Sequence, residues 1–176
     1  ALYELLTPYQ ATVLCGHMHE LEILQDGPVD VHVCGALCGA WWTGEICGDG
    51  TPNGFMVYEI DGGQVRWSYQ ACGQAPGHQM RLYPPGADPE RPDQLVANVW
   101  AADAHWQVVW YADGERRGAM ASHRGLDPLA RRLYAGPDLP DHRAWAEPFI
   151  TDHLFHCRPE PSVRKVTVEA RDRWGR

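Results

Sequence analysis

Apolar and polar residues alternate along most of this chain, with the two-residue period of strands rather than the 3.6-residue period of helices. The first such stretch, ATVLC at 11–15, carries apolar residues on both faces, which predicts a strand buried within a layered α/β sheet. Gly16 ends it. Residues 25–28 read as a turn, and beyond it Val29, Val31 and Val33 alternate with Asp30 and His32, predicting a strand with one wet face that carries His32. FMVYEI, DGG and QVRWSYQ together predict a β-hairpin. HQMRLY, LVANVW, WQVVWYADGERRGAMAS and VRKVTVEARD predict further strands, with Asp113 and Gly114 turning a hairpin inside the third. DHLFHC, between Pro148 and Pro159, reads as extended.

Helical spacing occurs in two places. Leu2, Leu5, Leu6 and Tyr9 predict a short terminal helix that ends before Pro8. DPLARRLY predicts a helix opened by Asp127, with Pro128 at its first position. PPGADPERPD, at 84–93, reads as a loop or linker. The pattern as a whole predicts a mainly β (α+β) chain: a fragment of α/β sheet, then a β-sandwich-like module.

Composition supports this picture, since 18 Gly, 14 Pro and 8 Trp in 176 residues describe a turn-rich, aromatic-rich chain. The net charge is −8, and 14 arginines with the single Lys165 are spread along the sequence. That balance argues against nucleic acid as a partner. No apolar run approaches the roughly 20 residues needed to span a bilayer. ALYELLTPYQ has neither the basic start nor the apolar centre of a signal peptide. The six cysteines (15, 34, 38, 47, 72 and 157) lack the paired C-x2-C spacing of structural zinc sites, so free thiols or one local disulfide are expected. Cys15, inside a strand, is expected to be buried.

Candidate chemistry begins where ATVLC stops, at Gly16-His17-Met18-His19. On extended backbone, residues i and i+2 face one side, so both imidazoles could aim at one cation, and Gly16 would admit a close backbone approach. The plain reading is a chance H-x-H at a surface turn. Trp41 and Trp42 are adjacent, so one can enter a core while the other faces a loop, a pocket or a partner. Residues 49–54 form a tight turn by composition, in which Asp49 either caps backbone donors or contacts substrate. His32 is either a surface histidine or a group facing a metal or substrate, and His153 with His156 is not expected to be a site. Neither a Gly-Lys phosphate loop nor a Gly-x-Ser-x-Gly elbow occurs.

Strand-GHMH resembles the last metal motif, Gly-His-x-His, of the calcineurin-like metallophosphoesterases. CGAWWTGEICGDGTPNGFMVYEIDG, YQACG, HQMRLY, NVWAAD and VTVEARDRWG are similar, in that order, to the C-terminal domain of one branch of those enzymes. WWTG and DGTPNG carry this more specifically than GHMH does. The resemblance implies that 1–29 are the end of the catalytic domain and 30–176 the β-rich accessory domain. It implies that His17 and His19 ligate a pair of divalent metals (Mn, Fe or Zn) and makes Trp42 a candidate wall of the substrate cleft, which His32 and Asp49 are candidates to line as well. A phosphoester is the implied substrate of the parent, and this chain is implied to pack on the parent's catalytic domain. The family's other ligands (Asp-x-His, Gly-Asp-x-x-Asp, Asn-His and a further His) lie upstream, and none occurs in the 16 residues before His17, so catalysis by this chain alone is not expected. The competing expectation is a non-catalytic β-sandwich module that binds a partner or carbohydrate through exposed aromatics, tryptophans such as Trp100, Trp106 or Trp110.

Overall fold

The computed structural model describes residues 2–136, 139 and 145–176. Helix α1 (Leu2–Leu6) buries none of its residues. It leads into a three-stranded sheet in the order β1-β3-β2, formed by β1 (Ala11–Cys15), β2 (Glu22–Asp26) and β3 (Val29–Val33). β1 runs parallel to β3, with Ala11 opposite Val29 and Cys15 opposite Val33. β2 is antiparallel to β3, and Gly27, at φ 60°, closes the turn between them. Residue 30 lies inside this sheet, in its central strand β3.

Two expectations about these strands are corrected. β1 is not buried on both faces, because it is the sheet's edge: Leu14 is 52% exposed and Cys15 is exposed as well. His32 does not face water. It is 0% exposed, because that face of the central strand lies against the next hairpin, where its ring meets Trp67 at 4.5 Å and Tyr58 at 5.6 Å. Burial holds its pKa below the ordinary histidine value.

The hairpin is β4 (Gly54–Asp61) paired with β5 (Gln64–Ala71), turned by Gly62 and Gly63 at φ 54° and 85°, as the DGG signal predicts. Trp67, Tyr69 and Ala71 of β5 pack with Leu21, Ile23 and Trp100 in one apolar cluster that joins the first sheet to the rest of the molecule. Trp100 is thus 0% exposed and is not a surface aromatic.

The remaining strands form two sheets. One has the order β10-β11-β7-β6, from β6 (Met80–Tyr83), β7 (Leu95–Val99), β10 (Ala121–Leu126) and β11 (Ile150–Cys157). The other has the order β12-β8-β9, from β8 (Gln107–Ala112), β9 (Glu115–Ala119) and β12 (Val166–Arg171). Leu95, Ala97, Val99 and Phe155 of the first meet Val108 and the partly buried Trp110, Val166 and Val168 of the second. The two sheets therefore enclose a core between them, a sandwich-like arrangement in a mostly β molecule. Trp106 and Trp110 are partly buried and pack against this core instead of standing free. All six cysteines are free thiols.

Helix α2 (Pro128–Tyr134) is capped by the Asp127 side chain, which accepts from the Leu129 and Ala130 amides at 2.9 Å each. Ala130 and Tyr134 bury against Ala40 and Ile46, and the Tyr134 hydroxyl donates to the Ile46 carbonyl at 2.7 Å. The helix thereby backs the loop that carries the two adjacent tryptophans. No helix among the described residues is long and apolar enough to cross a membrane.

Candidate functional site

Residues 17–20 form a run of bends and not the extended backbone that the i, i+2 expectation assumes. His17 and His19 both take left-handed backbone, at φ 84° and 55°. Their rings nevertheless meet one neighbour. His19 stacks on Trp41 at 4.9 Å with planes 18° apart, and His17 meets the same indole edge-on at 6.0 Å. His17 is exposed and His19 is half-buried.

Trp41 and Trp42 lie in a short 3-10 turn over Ala40–Trp42, and both also take left-handed backbone, at φ 51° and 63°. Strand alternation thus does not apply to them. Trp41 is half-buried between its ring partners, whereas Trp42 is 71% exposed, with its ring 5.2 Å from His19. Among the described residues, six non-glycine residues have positive φ, and four of them are this quartet. Each such residue costs on the order of 1 kcal/mol or more and persists only where its surroundings over-determine it.

Ring chemistry follows from one short contact. His19 Nδ1 lies 2.6 Å from the Gly39 carbonyl, which can only accept, so Nδ1 carries the proton and donates it. The Trp41 amide, 3.2 Å from the same nitrogen, then has no lone pair to donate into. Nε2 is the ring nitrogen left outside this contact, the arrangement that orients an imidazole for metal ligation. A single imidazole nitrogen suits Mn, Fe or Zn, but two histidines do not complete a coordination sphere. Among the described residues, no group of three or more His, Cys, Asp or Glu side chains could hold a metal ion.

Asp49 lies below this surface. It is 1% exposed, and its carboxylate accepts from the Leu21 amide at 2.9 Å, the Thr51 amide at 3.2 Å and the Thr51 hydroxyl at 2.7 Å. The capping role foreseen for it is the one its contacts serve. His153 Nε2 is 3.1 Å away from Asp49, so a histidine that sequence reasoning set aside is buried at this junction. Its position in an extended segment was legible; its burial and its partner across 104 residues were not. Glu20, directly after the histidine motif, is half-buried. Burial first, then the charges of Asp49 and Glu22, push its carboxyl up to about 7.

The structure therefore gathers His17, His19 and Trp42 at one surface and places Asp49 beneath them, whereas His32 sits in the core against Trp67. Residues 31–176 match the family model described as the C terminal of calcineurin-like phosphoesterase. No match was found among curated proteins or solved structures.

Proposed function

Because the chain belongs to the family of C-terminal domains of calcineurin-like phosphoesterases, we propose that it serves a metal-dependent phosphoester hydrolase, to which it contributes His17 and His19 as metal ligands. The observation that carries this reading is the His19 ring: its Nδ1 is committed to the Gly39 carbonyl, which leaves Nε2 for a ligand, and both His19 and the exposed His17 meet the Trp41 indole. His17 and His19, with ligands from the catalytic domain, would hold a divalent metal pair, whose chemistry when bound would be to lower a water's pKa and polarise the phosphoryl group. This chain's share is to present the two imidazoles, His19 held through its ring contact to Gly39 and both rings set against Trp41, and to wall the site with Trp42. The remaining ligands belong to a catalytic domain. Leu2, Leu5 and Leu14, each more than half exposed, offer that domain an apolar surface to pack on.

Manganese titration of the 176-residue chain, followed by histidine NMR, tests the ligand assignment. The His17 and His19 ring signals should broaden or shift first, while those of His123, in another sheet, stay in place. Equal responses at His17, His19 and His123 would remove these two residues as ligands. In the parent protein, His17→Ala and His19→Ala should each lower metal-dependent phosphoesterase activity by about 10²-fold or more. Activity unchanged in both variants overturns the proposal.

A further inference from the structure

We infer that Asp49, held by His153, is a positioning residue that clamps the backbone of the His17–His19 loop from within the C-terminal domain. Three contacts converge on this loop. The Gly39 carbonyl takes the His19 ring proton at 2.6 Å, the Gly48 amide donates to the His19 carbonyl at 3.3 Å, and the Asp49 carboxylate takes the Leu21 amide at 2.9 Å. All three anchors come from residues 39–49, and together they grip both sides of Glu20. Left-handed backbone at His17 and His19 is uncommon for residues with a Cβ and persists where surrounding contacts over-determine it, as these do at His19.

Asp49 is itself fixed by a buried network. Asn98 donates its amide group to the Asp127 carboxylate at 2.8 Å and to the Asp49 carbonyl at 3.0 Å. Its remaining oxygen faces His153 Nδ1 at 2.7 Å and must accept a proton from it. His153 Nε2 meets the Asp49 carboxylate at 3.1 Å, another acceptor. Both ring nitrogens therefore face acceptors, which assigns His153 as an imidazolium paired with Asp49, the two side chains being 2% and 1% exposed. Burial alone would disfavour that charge, but the Asp49 hydrogen bond and charge, with Asp152 and Asp127 behind them, raise its pKa above the ordinary value. A neutral His153 would face one acceptor without a proton to give it. Arg81, donating to the Gly50 carbonyl at 2.9 Å, fastens the same turn from β6.

The consequence for metal binding rests on the function proposed above, whereas the clamp itself does not. The experiment separates them. In the metal-free chain, His153→Gln and Asp49→Asn should leave the amide signals of β8 and β12 dispersed. Both should raise Leu21 amide exchange about tenfold or more and move the His19 ring nitrogen shifts from a fixed Nδ1–H tautomer toward an average of the two. His156→Gln, on the same strand, should change neither signal. Folded variants with wild-type Leu21 exchange and a wild-type His19 tautomer overturn the clamp. If neither variant folds, the wild-type chain decides: a His153 ring protonated on both nitrogens at pH 7.5, beside a protected Leu21 amide, upholds it, and a neutral ring overturns it. Manganese affinity at His17 and His19 should fall about 10-fold in His153→Gln, the size of effect known for groups that orient a ligand. A wild-type chain that binds no manganese sinks the metal reading and leaves the clamp judged by Leu21 and His19 alone.

Discussion

His123 stands half-buried on β10 with neither ring nitrogen hydrogen-bonded among the described residues, and its ring meets His156 at 5.0 Å. Burial first, then the charges of Arg91 and His156, push its pKa down to about 4. A folded pKa below the unfolded value means that the unfolded chain takes up the proton first as pH falls. Stability from this group is therefore complete above pH 6.5 and is lost as pH drops toward 4. His123→Leu should flatten that slope, so that its Tm relative to wild type improves by about 2–5 °C between pH 7 and pH 4.5. Parallel Tm profiles for the two proteins would show that some other group sets the acid sensitivity. Residue identity announced the histidines, but not which ones bury: His32 is buried, His123 half-buried and His17 exposed. Alternation assigned His32 to water because Asp30 and His32 are both polar. The aromatic side chains of the facing hairpin settled otherwise.

At the scale of single elements, the clearest sequence signal was the start of α2, where Asp followed by Pro marks a helix entry. The structure adds that the Asp127 cap is 0% exposed and also accepts from Tyr83 at 2.7 Å and Asn98 at 2.8 Å. Asp127→Ala would orphan the two helix amides, the Tyr83 hydroxyl and one Asn98 donor, and should destabilise the chain by about 3 kcal/mol in urea unfolding. Asp127→Asn keeps an acceptor and should cost less; equal losses would mean that the cap and its network are not the cause. Directly beside it, Gly50 sits at φ 87°, with a Cβ position 2.1 Å from the Asp127 carboxyl carbon. The tight turn at 49–54 was readable from composition. Its closeness to the cap of a helix some eighty residues later was not.

Over the whole molecule, burial is uneven. All five residues of β7 are buried, and most of its neighbour β11 is, while α1 buries none and β1 lies at an edge. Hydrogen exchange should therefore protect β7 and β11 longest and release α1 and β1 first. Exchange of α1 in step with β7 would show that the terminal segment is integral to the core. Attachment of a catalytic domain should slow α1 and β1 selectively, the expected mark of the packing proposed for Leu2, Leu5 and Leu14. By itself, the sequence determined most of the strands, the hairpin turns, the capped helix and the GHMH motif, because each follows from local patterning and backbone preference; it predicted neither β2 nor the break between β9 and β10. Only the tertiary structure decided which polar side chains face inward, which tryptophans stay exposed and what holds the histidine loop. Those outcomes depend on contacts between residues distant along the chain, such as Leu21 with Asp49 and Asp49 with His153. Local periodicity carries no record of such pairings.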